Sequence, residues 1–117
     1  MPNQHTHLDG VFHALSDPTR RAVLAELAKG DRAVSELAEP FDMALPSFLQ
    51  HLKVLEDNGL VRSEKQGRVR TCTFTPEPLN RVEEWILDQK KIWEARLDRL
   101  EAYLNTLKKD RAKKDKS

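Results

Sequence analysis

Hydrophobic residues near the middle of the chain recur at intervals of three and four, the spacing of one face of an α-helix. They are Leu45, Phe48, Leu52 and Leu55. The opposite face carries hydrogen-bonding side chains, those of Ser47, Gln50 and Lys53. A shorter apolar segment and a tight turn precede this helix, so residues 34–59 are predicted to form helix, turn and helix. The pattern fits either a helix that enters the DNA major groove or an ordinary amphipathic helix with a solvated face.

Two extended runs rich in Val, Thr and Phe follow Gly59, a residue type that often ends a helix. They flank a turn that contains Gly67, and this arrangement predicts a β-hairpin. Cations on such a hairpin either contact nucleic-acid phosphates or keep an edge strand soluble. Here they are Lys65, Arg68 and Arg70. This basic hairpin directly follows the helix that is predicted to enter the DNA major groove, which we call the reading helix. The combined pattern therefore favours nucleic-acid binding.

The last predicted helix begins near residues 75–78 and carries a long apolar stripe, which alternates threes and fours from Leu97 onward. The stripe comprises Leu79, Val82, Ile86, Trp93, Leu97, Leu100, Leu104 and Leu107. About thirty helical residues would span roughly 45 Å. A domain of this size cannot cover that length, so a homodimer is favoured over a helix that folds back within its own chain. The first helix is expected to pack alongside, which predicts a dimer interface of Leu8, Phe12, Trp93, Leu97, Leu100 and Leu104.

Length and charge fit one small domain. The 117 residues suffice for a single core, expected over residues 1–107, and the basic run at 108–117 is expected to be a disordered tail that is solvated or touches the DNA backbone. A formal net charge of +1 means that any attraction to DNA comes from local patches. The absence of a membrane-length apolar stretch, of a secretory signal and of a second cysteine predicts a cytoplasmic protein without a disulfide.

Four motifs stand in a recognisable order: ALSDPTRRAVL at 14–24, VSELA at 34–38, QHLKVLE at 50–56 and GLV at 59–61. Together they resemble the ArsR-type (arsenical-resistance repressor) family over residues 8–104. The resemblance implies a mainly α fold with a small β-hairpin, a winged helix-turn-helix that dimerises through its first and last helices. It also implies a small homodimeric bacterial transcriptional repressor, of a kind that often releases DNA when an inducer binds.

The phase of the second helix assigns candidate DNA contacts. Gln50 is the best base reader, since its amide can form two hydrogen bonds with adenine, while Ser47 suits a base edge or a phosphate and Lys53 suits the backbone. His51 is predicted either to contact a phosphate or to form a hydrogen bond at the core edge. Leu49, where the family usually has a small polar residue, either contacts a thymine methyl group or packs, and the helical phase favours packing. The hairpin adds Lys65, Arg68 and Arg70.

Arg20 and Arg21 stand near the start of a second predicted helix, after Asp17 and Pro18. The helix dipole disfavours cations at this position. We expect the two arginines to form structural ion pairs with acidic neighbours rather than to contact DNA.

The resemblance also indicates whether the protein can bind a metal ion. Family members that sense metals use thiolates on the first helix of the helix-turn-helix or His and carboxylate ligands on the last helix. The matching thiolate positions hold Ala33, Ser35 and Ala38, and no histidine follows His51. This implies that the protein has no metal site of either kind and no cofactor.

Other candidate ligand residues are weaker. His5, His7 and His13 form a loose cluster whose spacing matches no defined metal site. Cys72 shares its strand parity with Phe74, which predicts an inward thiol rather than a sensor. Trp85 and Trp93 suit either an apolar effector pocket or packing at an interface.

The sequence therefore predicts a homodimeric, metal-independent repressor that binds double-stranded DNA at an inverted repeat, with half-sites about one helical turn apart. The alternative is a winged-helix adaptor that binds protein and no longer reads DNA. An enzyme is not predicted, because the chain has no phosphate-binding glycine loop, no activated nucleophile and no paired acids in a defined setting. Any small-molecule effector remains unknown.

Overall fold

The computed structural model describes the backbone of residues 4–115 and the side chains of residues 7–114. Its elements in chain order are α1 (Gln4–Leu15), α2 (Pro18–Leu27), β1 (Arg32–Ala33), α3 (Val34–Ala38), α4 (Leu45–Asp57), β2 (Val61–Gln66), β3 (Val69–Phe74) and α5 (Glu77–Asp115). The chain divides into two compact units, Met1–Val82 and Glu83–Ser117. The fold is mainly α with a small antiparallel sheet, as predicted.

The first unit holds the hydrophobic core. Each of its described helices contributes one apolar face, and the two longer strands contribute their inner face. The buried apolar residues are Val11, Ala14, Val23, Leu24, Leu27, Leu37, Phe48, Leu52, Leu55, Leu60, Val61, Cys72 and Val82. These residues recur with the helical and strand periods from which the helices and the hairpin were predicted.

The sheet has one strand more than the predicted hairpin. β2 and β3 pair antiparallel from Val61 with Phe74 to Gln66 with Val69, and the two-residue β1 pairs with the other edge of β3. In the described residues the strand order is β1-β3-β2. The short β1 connects α2 to α3, so it holds the first helix of the helix-turn-helix against the hairpin.

The second unit is the continuation of α5, and no residue described in it is buried. The chain divides after Val82, the last buried core residue among those described, and the single domain expected over residues 1–107 remains a prediction. Helix α5 also runs to Asp115, so the expectation of a disordered tail is wrong for residues 108–115. Ala, Lys and Arg favour helix, and Lys113 and Lys114 lie where the helix dipole favours cations.

Within the described part of the chain, none of the helices is long and apolar enough to cross a membrane.

Candidate DNA-binding surface

Helix α4 separates buried apolar residues from an exposed polar face. Phe48, Leu52 and Leu55 are almost fully buried. Ser47, Gln50 and Lys53, the predicted reading residues, are all exposed. Leu45 was predicted on the buried face but is 54% exposed, because it is the first residue of the helix and lies beyond the core.

The end of α4 directs the chain into the hairpin. Gly59 adopts φ +74°, the left-handed conformation that ends many helices. Its backbone N–H donates to the carbonyl oxygen of Glu56 at 3.0 Å, and the N–H of Leu60 donates to that of Leu55 at 3.0 Å. These two hydrogen bonds form a Schellman motif, after which β2 begins at Val61. The start of the helix has no such cap, since Ala44 offers no side-chain acceptor.

His51 lies at the edge of the buried face, and its partner is Arg20. The Nη1 of Arg20 is 3.1 Å from Nδ1 of His51. The same guanidinium donates from Nε to the carbonyl oxygen of Ala14 at 2.8 Å and from Nη2 to that of His13 at 2.9 Å. Arg20 therefore ties the carbonyl end of α1 to the reading helix. The predicted ion pair with acidic side chains is wrong in its partners, while the structural role is confirmed.

The helix dipole accounts for this arrangement. Although Arg20 belongs to the first turn of α2, its side chain reaches the last turn of α1, where free carbonyls favour a cation. Arg21 does the same, since its Nη1 donates to the carbonyl oxygen of Leu15 at 2.7 Å. Each arginine thus avoids the positive end of its own helix.

Asp17 begins α2 beside this cluster. Its side chain accepts a hydrogen bond from the backbone N–H of Arg20 at 3.1 Å, as an N-cap residue does. Burial acts to raise the pKa of Asp17, but this hydrogen bond and the charges of His51 and Arg20 outweigh it, so the pKa lies below the ordinary value. The carboxylate therefore stays ionised at neutral pH, and its Oδ2 lies 3.7 Å from Nδ1 of His51.

Leu49 lies on the flank of α4 that faces the hairpin. Its side chain is 38% exposed and lines a shallow groove together with Lys53, Glu56 and Arg70. This position leaves part of the side chain accessible, and both its packing role and its contact with a thymine methyl group remain predictions.

The hairpin presents its cations as predicted. Gly67 adopts φ +64° and, with Arg68, forms the two-residue turn between β2 and β3. Lys65 and Arg70 are direct partners across the ladder, and both are exposed. Like charges in this position repel each other, so a bound anion would stabilise them. Arg70 is also oriented by a hydrogen bond from its Nε to Oγ of Ser63 at 3.0 Å.

Cys72 is fully buried in β3, which confirms its inward direction. Burial, and after it the charge of Glu56, raise the pKa of the Cys72 thiol to about 11, although the charge of Arg70 opposes the shift. A thiol held in this state is a poor nucleophile and a poor metal ligand. The geometry therefore gives Cys72 a packing role.

The described residues contain no group of three or more His, Cys, Asp or Glu side chains that could hold a metal ion. His7 and His13 are exposed on α1, and the side chain of His5 lies outside the described residues. Ala33, Ser35 and Ala38 lie at the start and along the length of α3. The absence of a metal site remains a prediction from these residue types.

The predicted interface residues divide between the two units. In the first unit, Leu8 packs partly against the core and Phe12 is 40% exposed. In the second, Trp93, Leu97, Leu100 and Leu104 are each about half exposed. The guanidinium carbon of Arg96 lies 5.7 Å from the centre of the Trp93 ring, a cation–π contact.

Two features of this surface and its support have no local signal in the sequence. β1 is only two residues long, Arg32–Ala33, which is too short to show a strand period. The link from Arg20 to His51 joins residues 31 positions apart, and no local pattern announces it. The only available signal was that two arginines stood at an unfavourable helix end.

Proteins of similar sequence belong to a known class. A family model described as a helix-turn-helix domain matches residues 15–64. The HTH-type transcriptional regulator YuzN of Bacillus subtilis is 37% identical over 86 residues, which cover 67% of this chain and 94% of that protein. The transcriptional repressor SdpR of the same species is 31% identical over 81 residues, covering 69% and 90%.

A crystal structure of an ArsR family transcriptional regulator is 55% identical, with a TM-score of 0.76, and the match covers 80% of this chain and 97% of that one. The family resemblance of the sequence is thereby confirmed. Its members are transcriptional regulators, not enzymes. With its exposed polar reading helix, basic hairpin and buried thiol, the chain belongs to the ArsR family of winged helix-turn-helix, DNA-binding transcriptional regulators.

Proposed function

We propose that this protein is a homodimeric, metal-independent transcriptional repressor that binds an inverted-repeat operator. The observation that carries the proposal is the placement of an exposed polar face on α4 directly before a hairpin with exposed cations. Base edges are recognised by hydrogen bonds in the major groove, whereas phosphate contacts supply most of the affinity. The two surfaces match these two tasks.

Gln50 is the proposed base reader, with Ser47 beside it and Lys53 on the backbone. Lys65, Arg68 and Arg70 of the hairpin contact phosphates or the minor groove. The sign of regulation rests on the relative SdpR, whose name describes a transcriptional repressor.

The second subunit is proposed from the apolar stripe on α5. From Glu83 onward no described side chain of α5 is buried, although the stripe includes Trp93, Leu97, Leu100 and Leu104. An apolar face of this length usually belongs to an interface. A second copy of the chain would cover it, and Leu8 and Phe12 of α1 remain proposed interface residues.

The stripe has a spacing that suits a two-fold axis. Gln89 and Leu97 lie four residues on either side of Trp93, and Ile86 and Leu100 lie seven. Two antiparallel copies of α5 that cross near Trp93 would therefore place Ile86 opposite Leu100 and Gln89 opposite Leu97, so Gln89 is the one polar residue among these positions. Such a self-complementary pattern is what an isologous interface requires.

Metal independence is proposed from the residue types at the positions where metal-sensing relatives have ligands. Ala33, Ser35 and Ala38 offer no thiolate. Cys72 is buried and protonated at neutral pH. Added Zn²⁺, or a chelator, is therefore expected to leave DNA binding unchanged.

Selection of bound duplexes from a random DNA pool, followed by sequencing, tests the proposal. The expected result is an enriched inverted repeat with half-sites about one helical turn apart. Binding without enrichment would indicate contact with the backbone alone. No binding at low salt would reject DNA reading and favour the protein–protein adaptor.

A further inference from the structure

Arg20 is the only charged residue buried in the part of the chain that the structure describes, with 8% of its surface exposed. All three guanidinium nitrogens have partners: the carbonyl oxygens of Ala14 and His13, and Nδ1 of His51. Two of these partners belong to α1 and the third to the reading helix. A buried cation with a complete set of partners holds a fixed position.

The contact with His51 fixes the chemistry of the imidazole ring. A guanidinium has donors and no acceptor, so the nitrogen 3.1 Å away must accept. Nδ1 therefore carries the lone pair, and in the neutral ring the proton is on Nε2. The competing arrangement would place the proton on Nδ1, facing Asp17. That carboxylate is 3.7 Å away, beyond hydrogen-bond distance.

The other ring nitrogen is available to an outside partner. Among the described side chains and backbone groups, the polar contacts of the His51 ring are those of Nδ1. The one buried polar atom without a partner in the described side chains is Oε1 of Glu56, and the His51 side chain is 25% exposed, which leaves Nε2 open to an outside partner. His51 also lies one turn after the exposed Ser47, on the same side of α4. The Nε2–H group is thus a single donor at the margin of the reading face.

We propose that Arg20 is a positioning residue that holds His51 in its Nε2–H form, and that this N–H donates to a phosphate of the bound DNA. The proposal rests on the proposed function and names the nitrogen that acts. It joins the two alternatives predicted for His51, because one nitrogen binds at the core edge and the other binds the nucleic acid. A neutral Nε2–H donor would add affinity without releasing counterions.

The first test is the nitrogen NMR spectrum of the free protein, recorded at a pH at which histidines are neutral. We expect the His51 signals of the Nε2–H form. In Arg20→Met the acceptor role of Nδ1 is lost, and we expect a shift towards the Nδ1–H form, which can turn to Asp17. Arg20→Lys retains a donor and should restore the wild-type signals in part. An Nδ1–H ring in the wild-type protein would overturn the proposal.

The second test uses a crossed pair of variants. His51→Asn places a carbonyl near the position of Nδ1 and nothing at that of Nε2, whereas His51→Gln reaches the position of Nε2 with its amide. We expect Asn to weaken DNA binding about tenfold per subunit and Gln to keep most of it. Thermal stability should move in the opposite order, because only Asn still accepts from Arg20.

The salt dependence gives a further readout. Loss of a neutral donor should leave the slope of affinity against salt concentration unchanged. A reduced slope in His51→Asn, equal losses in both variants, or full affinity in Asn would each overturn the phosphate contact. If the wild-type protein binds no DNA, the proposed function fails, while the NMR measurement still decides whether Arg20 sets the form of His51.

Discussion

At the scale of single residues, some side chains of the proposed DNA-binding surface contact bases and others contact phosphates. Gln50 is exposed on α4 and has an amide that can bond adenine twice. Gln50→Ala should relax the preference for one base pair per half-site, at a cost of about 1–3 kcal/mol. Repeating the random-pool selection with the variant measures this change. An unchanged preferred sequence would show that Gln50 does not read a base.

Arg68, in the turn of the hairpin, is expected to behave differently. Arg68→Ala should weaken binding to every sequence alike and lower the salt slope by about one per subunit, because one phosphate contact is lost. Titration of a selected and a scrambled duplex at several salt concentrations measures both effects.

The matched control is Lys29→Ala. Lys29 is an exposed cation at the end of α2, and its Nζ pairs with Glu26 at 3.1 Å. An equal loss in this control would mean that net charge, and not the hairpin, accounts for the effect.

The raised pKa of Cys72 predicts that the folded protein loses stability at alkaline pH. Its pKa is raised from 9.0 to about 11 in the folded protein, first by burial and then by Glu56. The folded state therefore holds this proton more tightly than the unfolded chain does. The resulting stability is complete below pH 9 and is lost as the pH rises towards about 11.

Urea unfolding from pH 8 to 11 checks this prediction. The wild-type protein should lose more stability over that range than Cys72→Ala, in which all other titrating groups are unchanged. Parallel curves for the two proteins would contradict the shifted pKa.

At the scale of elements, α5 is proposed to hold the dimer together. Leu100 lies in the apolar stripe and is 52% exposed. Leu100→Glu would place a carboxylate in the interface of each subunit, where burial of an unpaired charge is costly. We expect dissociation of the dimer to become at least tenfold easier, as measured by analytical ultracentrifugation over a range of concentrations.

Asp98→Lys is the control, since residue 98 lies on the opposite side of the helix, where a charge change should leave the dimer intact. A dimer that resists Leu100→Glu would place the interface elsewhere.

The elements also show what the sequence could predict and where it failed. The reading helix and the hairpin were predicted because Phe48, Leu52 and Leu55 repeat with the helical period and Gly67 marks the turn. β1 was missed, since two residues cannot display a period and its pairing with β3 is a long-range contact. The length of α5 was underestimated, because a charged run indicates solvation and does not by itself distinguish a helix from a disordered tail.

The side chains of the candidate site were also predicted only in part. The phase of α4 placed Gln50 and Lys53 on the exposed face, as the structure has them. The partner of His51 could not be predicted, because Arg20 is brought to it by the packing of α1, α2 and α4 together. Local periodicity fixes the direction of a side chain, whereas its partner depends on the tertiary fold.

At the scale of the whole molecule, the proposed dimer has two reading helices related by a two-fold axis. Two such helices fit half-sites about one turn, or roughly 34–36 Å, apart. Five base pairs inserted between the half-sites would turn one of them to the far side of the duplex. A rigid dimer then engages only one half-site, so the affinity should fall to that of an isolated half-site.

Titrations of the selected operator with and without the insertion measure this loss, and a spacer of altered sequence but equal length is the control. At concentrations at which Leu100→Glu has dissociated into monomers, it should bind both duplexes equally, since each subunit then acts alone. An operator that tolerates the insertion with the wild-type protein would mean that the subunits bind independently. The dimer contacts on α5 would then have no part in recognition, because rigid spacing is the property by which a symmetric interface selects an inverted repeat.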